Sequence, residues 1–297
     1  MTRSRRLVTF GLPIAVLAAI ALLAACAPMA TLNALVPGDG HRIVAGVAYG
    51  EHPRQRLDIY TPQSAAPAAG WPMVVFFYGG SWNTGERADY KFLAQALAVR
   101  GVLVLVADYR LYPEVRYPDF LHDSARALAY GFAQARRLHA DPKRIFVMGH
   151  SAGAYNAAML AFDPRWLAPT GHSPTELAGF IGLAGPYDFL PMTNPQTQPV
   201  FFHPNYPPDT QPLEHASRQA PRSFLGAPEN DRVVDPQRST VGLANRLRAL
   251  GVPVEMHLYP RASHVTLAGA FAGPLRWIAP VLQEVLAFIE ADVPARP

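Results

Sequence analysis

Residues 145–162 read IFVMGHSAGAYNAAMLAF, and this stretch decides the fold. The apolar run 145–148 predicts a strand that is buried on both faces, and residues 152–162 predict a helix directly after it. Between them lies the pattern Gly-x-Ser-x-Gly, a turn so tight that side chains at Gly149 or Gly153 would collide with neighbouring elements. This context predicts that Ser151 presents its hydroxyl at the edge of a sheet as a nucleophile. The alternative is that Ser151 only caps a helix rich in small residues.

Strands and helices alternate on both sides of this stretch. Two short strands at 41–49 and 56–60 are expected to pair antiparallel. Further strands are predicted at 73–78, 102–107, 180–183, 223–225 and 254–258, and helices at 89–100, 119–138, 237–250 and 275–290. This alternation predicts a mostly parallel sheet with helices on both faces, which is an α/β class of fold. Residues 186–220 have no clear periodicity and are expected to form an irregular, lid-like insertion.

The N-terminal segment has the features of an export signal. Arg3, Arg5 and Arg6 precede a continuous run of apolar and small residues that ends at Cys26. Small residues directly before the only cysteine of the chain resemble the lipobox of bacterial lipoproteins, in which the thiol is lipidated. We therefore expect residues 1–26 to be a signal peptide, 27–40 a tether and 41–297 the folded domain. A plain signal peptide or membrane anchor is the alternative. Ala27, where an Asp would favour the inner membrane, points to the periplasmic side of the outer membrane.

The composition excludes some classes of function. Half of the residues are hydrophobic and 16% are charged, as in a protein with a large core. The net charge of +4 comes mostly from the three N-terminal arginines, so the remaining chain is nearly neutral. It has no basic stripe of the kind that nucleic-acid binding requires. His, Cys and carboxylate residues with metal-ligand spacing are also missing from the sequence, so we expect no metal and no organic cofactor.

A serine nucleophile needs a base and an acid from elsewhere in the chain. Five histidines follow Ser151, and the last of them lies on a loop after the final predicted strand, where parallel sheets place their chemistry: His172, His203, His215, His257 and His264. His264 is therefore the preferred base. Asp231 is the preferred acid, because it lies near the end of a strand. Asp235 remains an alternative, although its position before Pro236 and a helix is typical of a helix cap.

An oxyanion site is predicted after the strand at 73–78. Gly79 and Gly80 allow backbone N–H groups to approach a ligand, and the N–H of Ala152 completes the set. An ordinary glycine turn is the alternative. Tyr78, Trp82 and Tyr155 are expected in the substrate pocket. Further aromatic residues are expected either there or in core and lid packing: Phe189, Phe201, Phe202 and Tyr206.

Taken in order, these motifs resemble the bacterial esterase and lipase branch of the α/β-hydrolase superfamily. The likeness is to hormone-sensitive-lipase-like, feruloyl-esterase-like and arylformamidase-like carboxylesterases, and it covers residues 41–290. Its motifs are LDIY at 57–60, YGGSW at 78–82, DYRL at 108–111, GHSAG at 149–153, NDRVV at 230–234 and SH at 263–264. The resemblance implies Ser151, Asp231 and His264 as the catalytic triad. The family usually has His in place of Tyr78, so the oxyanion loop need not share the family's geometry.

The sequence thus predicts a serine carboxylesterase of the cell envelope that cleaves small, short-acyl esters through an acyl-enzyme. Two alternatives remain. One is an arylformamidase-like amidase, and the other is a non-catalytic, envelope-anchored binding lipoprotein. The expected partners are a small-molecule ester and, through Cys26, a membrane.

Overall fold

The computed structural model describes residues 28–34, 36 and 38–291, so the predicted signal peptide and Cys26 lie outside the described residues. Eight strands form one sheet: β1 (His41–Ala48), β2 (Arg56–Pro62), β3 (Trp71–Phe77), β4 (Leu103–Ala107), β5 (Ala140–His150), β6 (Gly179–Leu183), β7 (Ser223–Pro228) and β8 (Val254–Tyr259). Their order is β1-β2-β4-β3-β5-β6-β7-β8. The β1–β2 and β2–β4 pairs are antiparallel, and the other pairs are parallel. The mostly parallel sheet predicted from the sequence is confirmed.

The helices of the described chain are α1 (Pro28–Ala34), α2 (Lys91–Ala98), α3 (Asp119–Gln134), α4 (Ala152–Phe162), α5 (Pro164–Leu167), α6 (Gly242–Ala249), α7 (His264–Gly269) and α8 (Val281–Glu290). Every residue of β3, β4, β6 and β7 is buried, because other elements cover both faces of the sheet there. Every residue of α4 is buried as well, so the segment that follows Ser151 is held on all sides.

Some helix boundaries differ from the prediction. The helix expected at 275–290 begins only at Val281, where α8 starts directly after Pro280. Before it, Gly273–Leu275 form a short 3-10 turn. Proline fits the start of a helix but not its interior, where it lacks the N–H of the backbone hydrogen bond and clashes with the preceding turn. The helix expected at 237–250 is divided into a wider turn at Gln237–Val241 and α6.

The segment predicted as a tether contains α1, which is linked to the domain by its asparagine. Asn33 donates a hydrogen bond to the carbonyl of Ala88 at 2.8 Å and accepts one from the N–H of Phe92 at 2.9 Å. The segment 186–220 is irregular, with 3-10 turns at Gln198–Phe201 and Pro212–His215. Within the described ranges, no helix is both long enough and apolar enough to cross a bilayer.

Candidate active site

The turn after β5 places Ser151 in a strained backbone conformation. Its φ is +53° and its ψ is −123°, values that few side-chain-bearing residues adopt. A Cβ on Gly149 would lie 2.2 Å from the Gly153 carbonyl oxygen, and one on Gly153 would lie 2.0 Å from that of Phe77. Both positions therefore require glycine. The N–H of Ser151 donates to the Leu183 carbonyl at 2.8 Å, which ties the turn to β6.

Ser151, His264 and Asp231 form a continuous hydrogen-bonded chain. His264 Nε2 lies 2.8 Å from Ser151 Oγ, and His264 Nδ1 lies 2.7 Å from Asp231 Oδ2. Because the carboxylate can only accept, Nδ1 carries a hydrogen and Nε2 is left free to accept the serine proton. The three residues follow β5, β7 and β8, whose carboxyl ends meet at one edge of the sheet.

Asp231 is kept ionised by its hydrogen bonds. Its side chain is fully buried, which by itself raises the pKa of a carboxyl group. The hydrogen bond and charge of His264, together with the N–H groups of Val233 and Val234 at 2.8 and 3.3 Å, outweigh that burial and lower the Asp231 pKa. The site therefore has a permanent anion behind the imidazole.

The alternative residues have other partners. Asp235 Oδ1 accepts the N–H groups of Gln237 and Arg238 at 2.9 and 3.1 Å, as a helix cap does. The other four histidines pair away from Ser151: His172 with Glu176, His203 with Tyr206, His215 with the Asp209 carbonyl and His257 with Glu284. The structure thus brings His264 and Asp231 to Ser151, and places Asp235 and the other histidines elsewhere.

The glycine loop after β3 differs in part from the prediction. The N–H of Gly79, predicted as an oxyanion donor, is directed to the Tyr90 hydroxyl at 3.3 Å, so it is already engaged. Gly80 makes the turn: its φ is +130°, and its carbonyl accepts the N–H groups of Asn83 and Thr84. Of the predicted donors Gly79, Gly80 and Ala152, Ala152 lines the pocket beside Ser151, and Ser81, which follows the two glycines, lines it as well. The sequence motif contained Ser81, but only the path of the turn brings this residue to the pocket.

A pocket of about 220 Å³ opens at Ser151. Its apolar wall includes Trp82, Phe189, Met192, Val233 and Val234. Its polar wall includes Asp188 and Arg238, which form an ion pair at 2.6 Å. Neither charge was found by the sequence motifs, because the pair joins two segments that are 50 residues apart.

Two of the three predicted pocket residues do not line it. Tyr78 is fully buried, stacks on Tyr109 at 4.7 Å between ring centroids, and accepts a hydrogen bond from Arg54 at 2.6 Å. Tyr155 is also fully buried, and its hydroxyl donates to the Thr210 carbonyl at 2.8 Å. It supports the pocket from behind, through an edge contact with Trp82.

Of the four further aromatic residues, only Phe189 lines this pocket. Phe201 is buried and packs edge-on against Trp82 at 4.8 Å between ring centroids. Phe202 is 40% exposed, and Tyr206 accepts a hydrogen bond from the N–H of Met192.

The described residues contain no group of three or more His, Cys, Asp or Glu side chains that could hold a metal ion.

The chain is similar to one family model and to curated proteins that are named as esterases. The family model BD-FAE matches residues 57–247. Esterase LipC of Mycobacterium tuberculosis is 30% identical over 251 residues, which are 77% of this chain and 61% of that protein. The probable isoprenylcysteine alpha-carbonyl methylesterase ICME of Oryza sativa is 32% identical over 151 residues, 50% of this chain and 36% of the other. The chain thus spans less than two thirds of the length of these relatives.

Solved structures resemble the chain at lower sequence identity. An inhibited esterase B from Lactobacillus rhamnosis has a TM-score of 0.71 at 19% identity and covers 93% of this chain and 96% of its own. The apo form of esterase 2 from Thermogutta terrifontis has a TM-score of 0.67 at 21% identity and covers 86% and 98%. At these identities the likeness establishes the shared architecture.

Proposed function

Because the chain belongs to the BD-FAE family and has the α/β-hydrolase fold that its sequence predicted, we propose that it is a serine carboxylesterase for small, short-acyl esters. The observation that carries this proposal is the hydrogen-bonded chain from Asp231 through His264 to Ser151, which ends at the mouth of a pocket. An acid, a base and a hydroxyl in this order are what acyl transfer to serine requires.

The proposed reaction uses these groups in sequence. His264 Nε2 takes the proton of Ser151 Oγ as that oxygen attacks the ester carbonyl. We assign the stabilisation of the negative charge that develops on the carbonyl oxygen to the N–H of Ala152, which lines the pocket and begins α4, together with N–H groups of the turn at Gly80 and Ser81. The alcohol then leaves with the proton from His264. Water, activated by the same imidazole, hydrolyses the acyl-enzyme, and Asp231 stabilises the imidazolium in both steps.

The dimensions of the pocket support a small substrate. Its volume of about 220 Å³ is below the roughly 300–1,000 Å³ typical of sites for drug-sized ligands. Trp82, at the apolar wall, donates a hydrogen bond from its indole N–H to Asn156 Oδ1 at 3.0 Å. Tyr155 and Phe201 pack edge-on against its ring. A wall held in this way resists widening for a long acyl chain.

The test is the hydrolysis of p-nitrophenyl esters of increasing acyl length by the chain without residues 1–26, beside Ser151→Ala. We expect the highest kcat/KM on acetate to butyrate esters and a loss of at least about 10³-fold in the variant. Activity that survives in Ser151→Ala would overturn the mechanism. A much higher kcat/KM on long-chain esters would overturn the substrate assignment. Faster release of formate from an aryl formamide than of acid from any ester would favour the amidase.

We further propose that the chain is anchored to the cell envelope by a lipid on Cys26. The support is in the sequence: a basic start, an apolar run, small residues before the cysteine, and no second cysteine in the chain. The anchor would hold the domain beside the membrane through residues 27–40, the segment predicted as a tether.

A further inference from the structure

Two buried residues connect the glycine loop to the backbone of His264. The N–H of Gly79 points to the hydroxyl of Tyr90 at 3.3 Å, and that hydroxyl lies 2.9 Å from His150 Nδ1. On the other side of the same ring, His150 Nε2 lies 2.8 Å from the carbonyl oxygen of His264. Tyr90 is 6% exposed and His150 is 3% exposed, so water does not compete for these bonds.

The partners determine the direction of each bond once the ring is neutral. A carbonyl oxygen can only accept, so His150 Nε2 carries a hydrogen, and in the neutral ring Nδ1 is an acceptor. The Tyr90 hydroxyl then donates to Nδ1 and accepts the N–H of Gly79. With a neutral His150 each donor has one acceptor, whereas a protonated ring would leave the Tyr90 hydroxyl hydrogen without an acceptor in this chain of bonds.

We propose that Tyr90 and His150 are positioning residues that hold the glycine loop and the backbone of His264 in register with Ser151. This inference rests on the proposed esterase function. Neither residue lines the pocket, so both would act through Gly79, Ser151 and His264.

The position of His150 makes it suited to this role. It directly precedes Ser151, so its ring links the nucleophile turn after β5 to the start of α7 at His264 and, through Tyr90, to the loop after β3. The loop after β3 packs closely against His150 and Ser151, because a Cβ on Gly79 would lie only 3.0 Å from both His150 Nδ1 and Ser151 Cβ. A displacement of about 1 Å in such a constellation can cost about 100-fold in rate.

The surroundings keep His150 neutral. Burial, followed by the positive charge that His264 can carry, lowers the His150 pKa to about 3. The groups that face its ring are the Tyr90 hydroxyl and the His264 imidazole at 5.2 Å between centroids. The hydrogen bond to the His264 carbonyl and the carboxylate of Asp231 act in the opposite direction and raise the pKa, but burial outweighs them. A neutral ring also avoids repulsion with the imidazolium that forms on His264 during catalysis.

The first test is Tyr90→Phe, which removes one hydroxyl and keeps the ring. The matched control is Tyr49→Phe, which likewise removes one hydroxyl and keeps the ring, but that hydroxyl donates to the backbone carbonyl of Asp108 at 2.5 Å and has no contact with His150. We expect Tyr90→Phe to lower kcat on the best p-nitrophenyl ester roughly 10- to 100-fold with less than about a threefold change in KM. Tyr49→Phe is expected to keep its kcat. Equal kcat values in the two variants would overturn the proposal.

A double-mutant cycle tests whether the two residues act as one unit. His150→Gln is compared with Tyr90→Phe and with the double variant. Because both single changes break the same connection, we expect the double variant to be little worse than the poorer single variant. Losses that multiply in full would mean that Tyr90 and His150 act separately, and would overturn the proposal.

A third measurement does not depend on activity. In protein labelled with ¹⁵N-histidine, the ring nitrogens of His150 are expected to report the neutral Nε2–H form at pH 7, and the Nδ1 resonance is expected to move in Tyr90→Phe. A protonated ring or the Nδ1–H form would overturn the inference. Absence of esterase activity in the unsubstituted protein would instead count against the proposed function, so the two failures are distinguishable.

Discussion

At the residue scale, two aspartates four positions apart have different tasks. Asp231 contacts the imidazole of His264, whereas Asp235 caps the turn that leads to α6. Their sequence contexts favoured this division, since Asp235 precedes Pro236 and a helix, and the path of the loop after β7 brings only Asp231 to His264. Each assignment has its own measurable consequence.

The first prediction compares Asp231→Asn with Asp235→Ala. We expect Asp231→Asn to lower kcat by roughly 10³- to 10⁴-fold, because an amide no longer holds the Nδ1–H tautomer or stabilises the imidazolium. Asp235→Ala should lose a helix cap, with a fall of about 0.5–2 kcal/mol in the free energy of unfolding and less than about tenfold in kcat. Steady-state kinetics and urea unfolding provide both numbers. The reverse ranking of kcat would make Asp235 the triad acid.

The second prediction concerns His150 and pH. Its pKa is lowered from 6.5 to about 3 in the folded protein, so the unfolded state binds the proton more readily. The stability linked to this residue is therefore fully present above pH 6.5 and is lost as the pH falls, by about 1.4 kcal/mol per pH unit. We expect the free energy of unfolding of the unsubstituted protein to fall more steeply between pH 6.5 and 4 than that of His150→Gln.

The pH range in which stability is lost distinguishes the contribution of His150 from that of Asp231. The pKa of Asp231 lies below 3.8 in the folded protein, so its contribution to stability is retained down to about that pH and is lost only in stronger acid. Parallel slopes for the two proteins between pH 6.5 and 4 would show that His150 is not buried in its neutral form.

At the scale of elements, the turn between β5 and α4 depends on the contacts of its glycines. Gly153 lies so close to β3 that even one added carbon would overlap the Phe77 carbonyl. Gly273, by contrast, has nothing within 4 Å of an added Cβ and no positive φ. These two glycines provide a matched pair of substitutions.

The third prediction is therefore that Gly153→Ala and Gly273→Ala differ strongly. We expect Gly153→Ala to lower the free energy of unfolding by about 3 kcal/mol or more, because the turn and β3 must separate to relieve the overlap. Gly273→Ala should change it by no more than about 0.5 kcal/mol. Denaturant unfolding measures both, and labelling of Ser151 by a fluorophosphonate shows whether the turn keeps its shape. A small effect of Gly153→Ala on both readouts would contradict the packing described for this turn.

At the scale of the whole molecule, the parallel strands bring distant segments to one edge. Ser151 and Asp231 are 80 positions apart, and His264 follows 33 positions later, yet all three lie within one hydrogen-bonded chain. All three lie within the described range 38–291, so we expect localisation and catalysis to be separable in experiment.

The fourth prediction uses that separation. In a bacterial host, Cys26→Ser is expected to abolish the incorporation of labelled palmitate and to move the protein from the membrane fraction to the soluble fraction, because the thiol proposed to carry the lipid is gone. The kcat of the purified variant should equal that of the chain without residues 1–26. A variant that stays in the membrane fraction would favour an uncleaved apolar anchor.

The sequence by itself determined the features that depend on short stretches of chain. The Gly-x-Ser-x-Gly turn is dictated by local steric constraints, and the buried strands are visible as runs of apolar residues. Their alternation with helices was sufficient to predict a mostly parallel sheet. The chain order of Ser151, Asp231 and His264 followed from the family resemblance and from the strand ends.

Only the tertiary structure decided the partners of these residues. Whether the N–H of Gly79 meets a substrate or the hydroxyl of Tyr90, and whether Tyr78 lies in the pocket or behind it, depends on packing between separate elements. The ion pair of Asp188 and Arg238 in the pocket wall has the same origin. Hydrogen bonds act over about 3 Å, and residues distant in sequence come that close only when the whole core is packed.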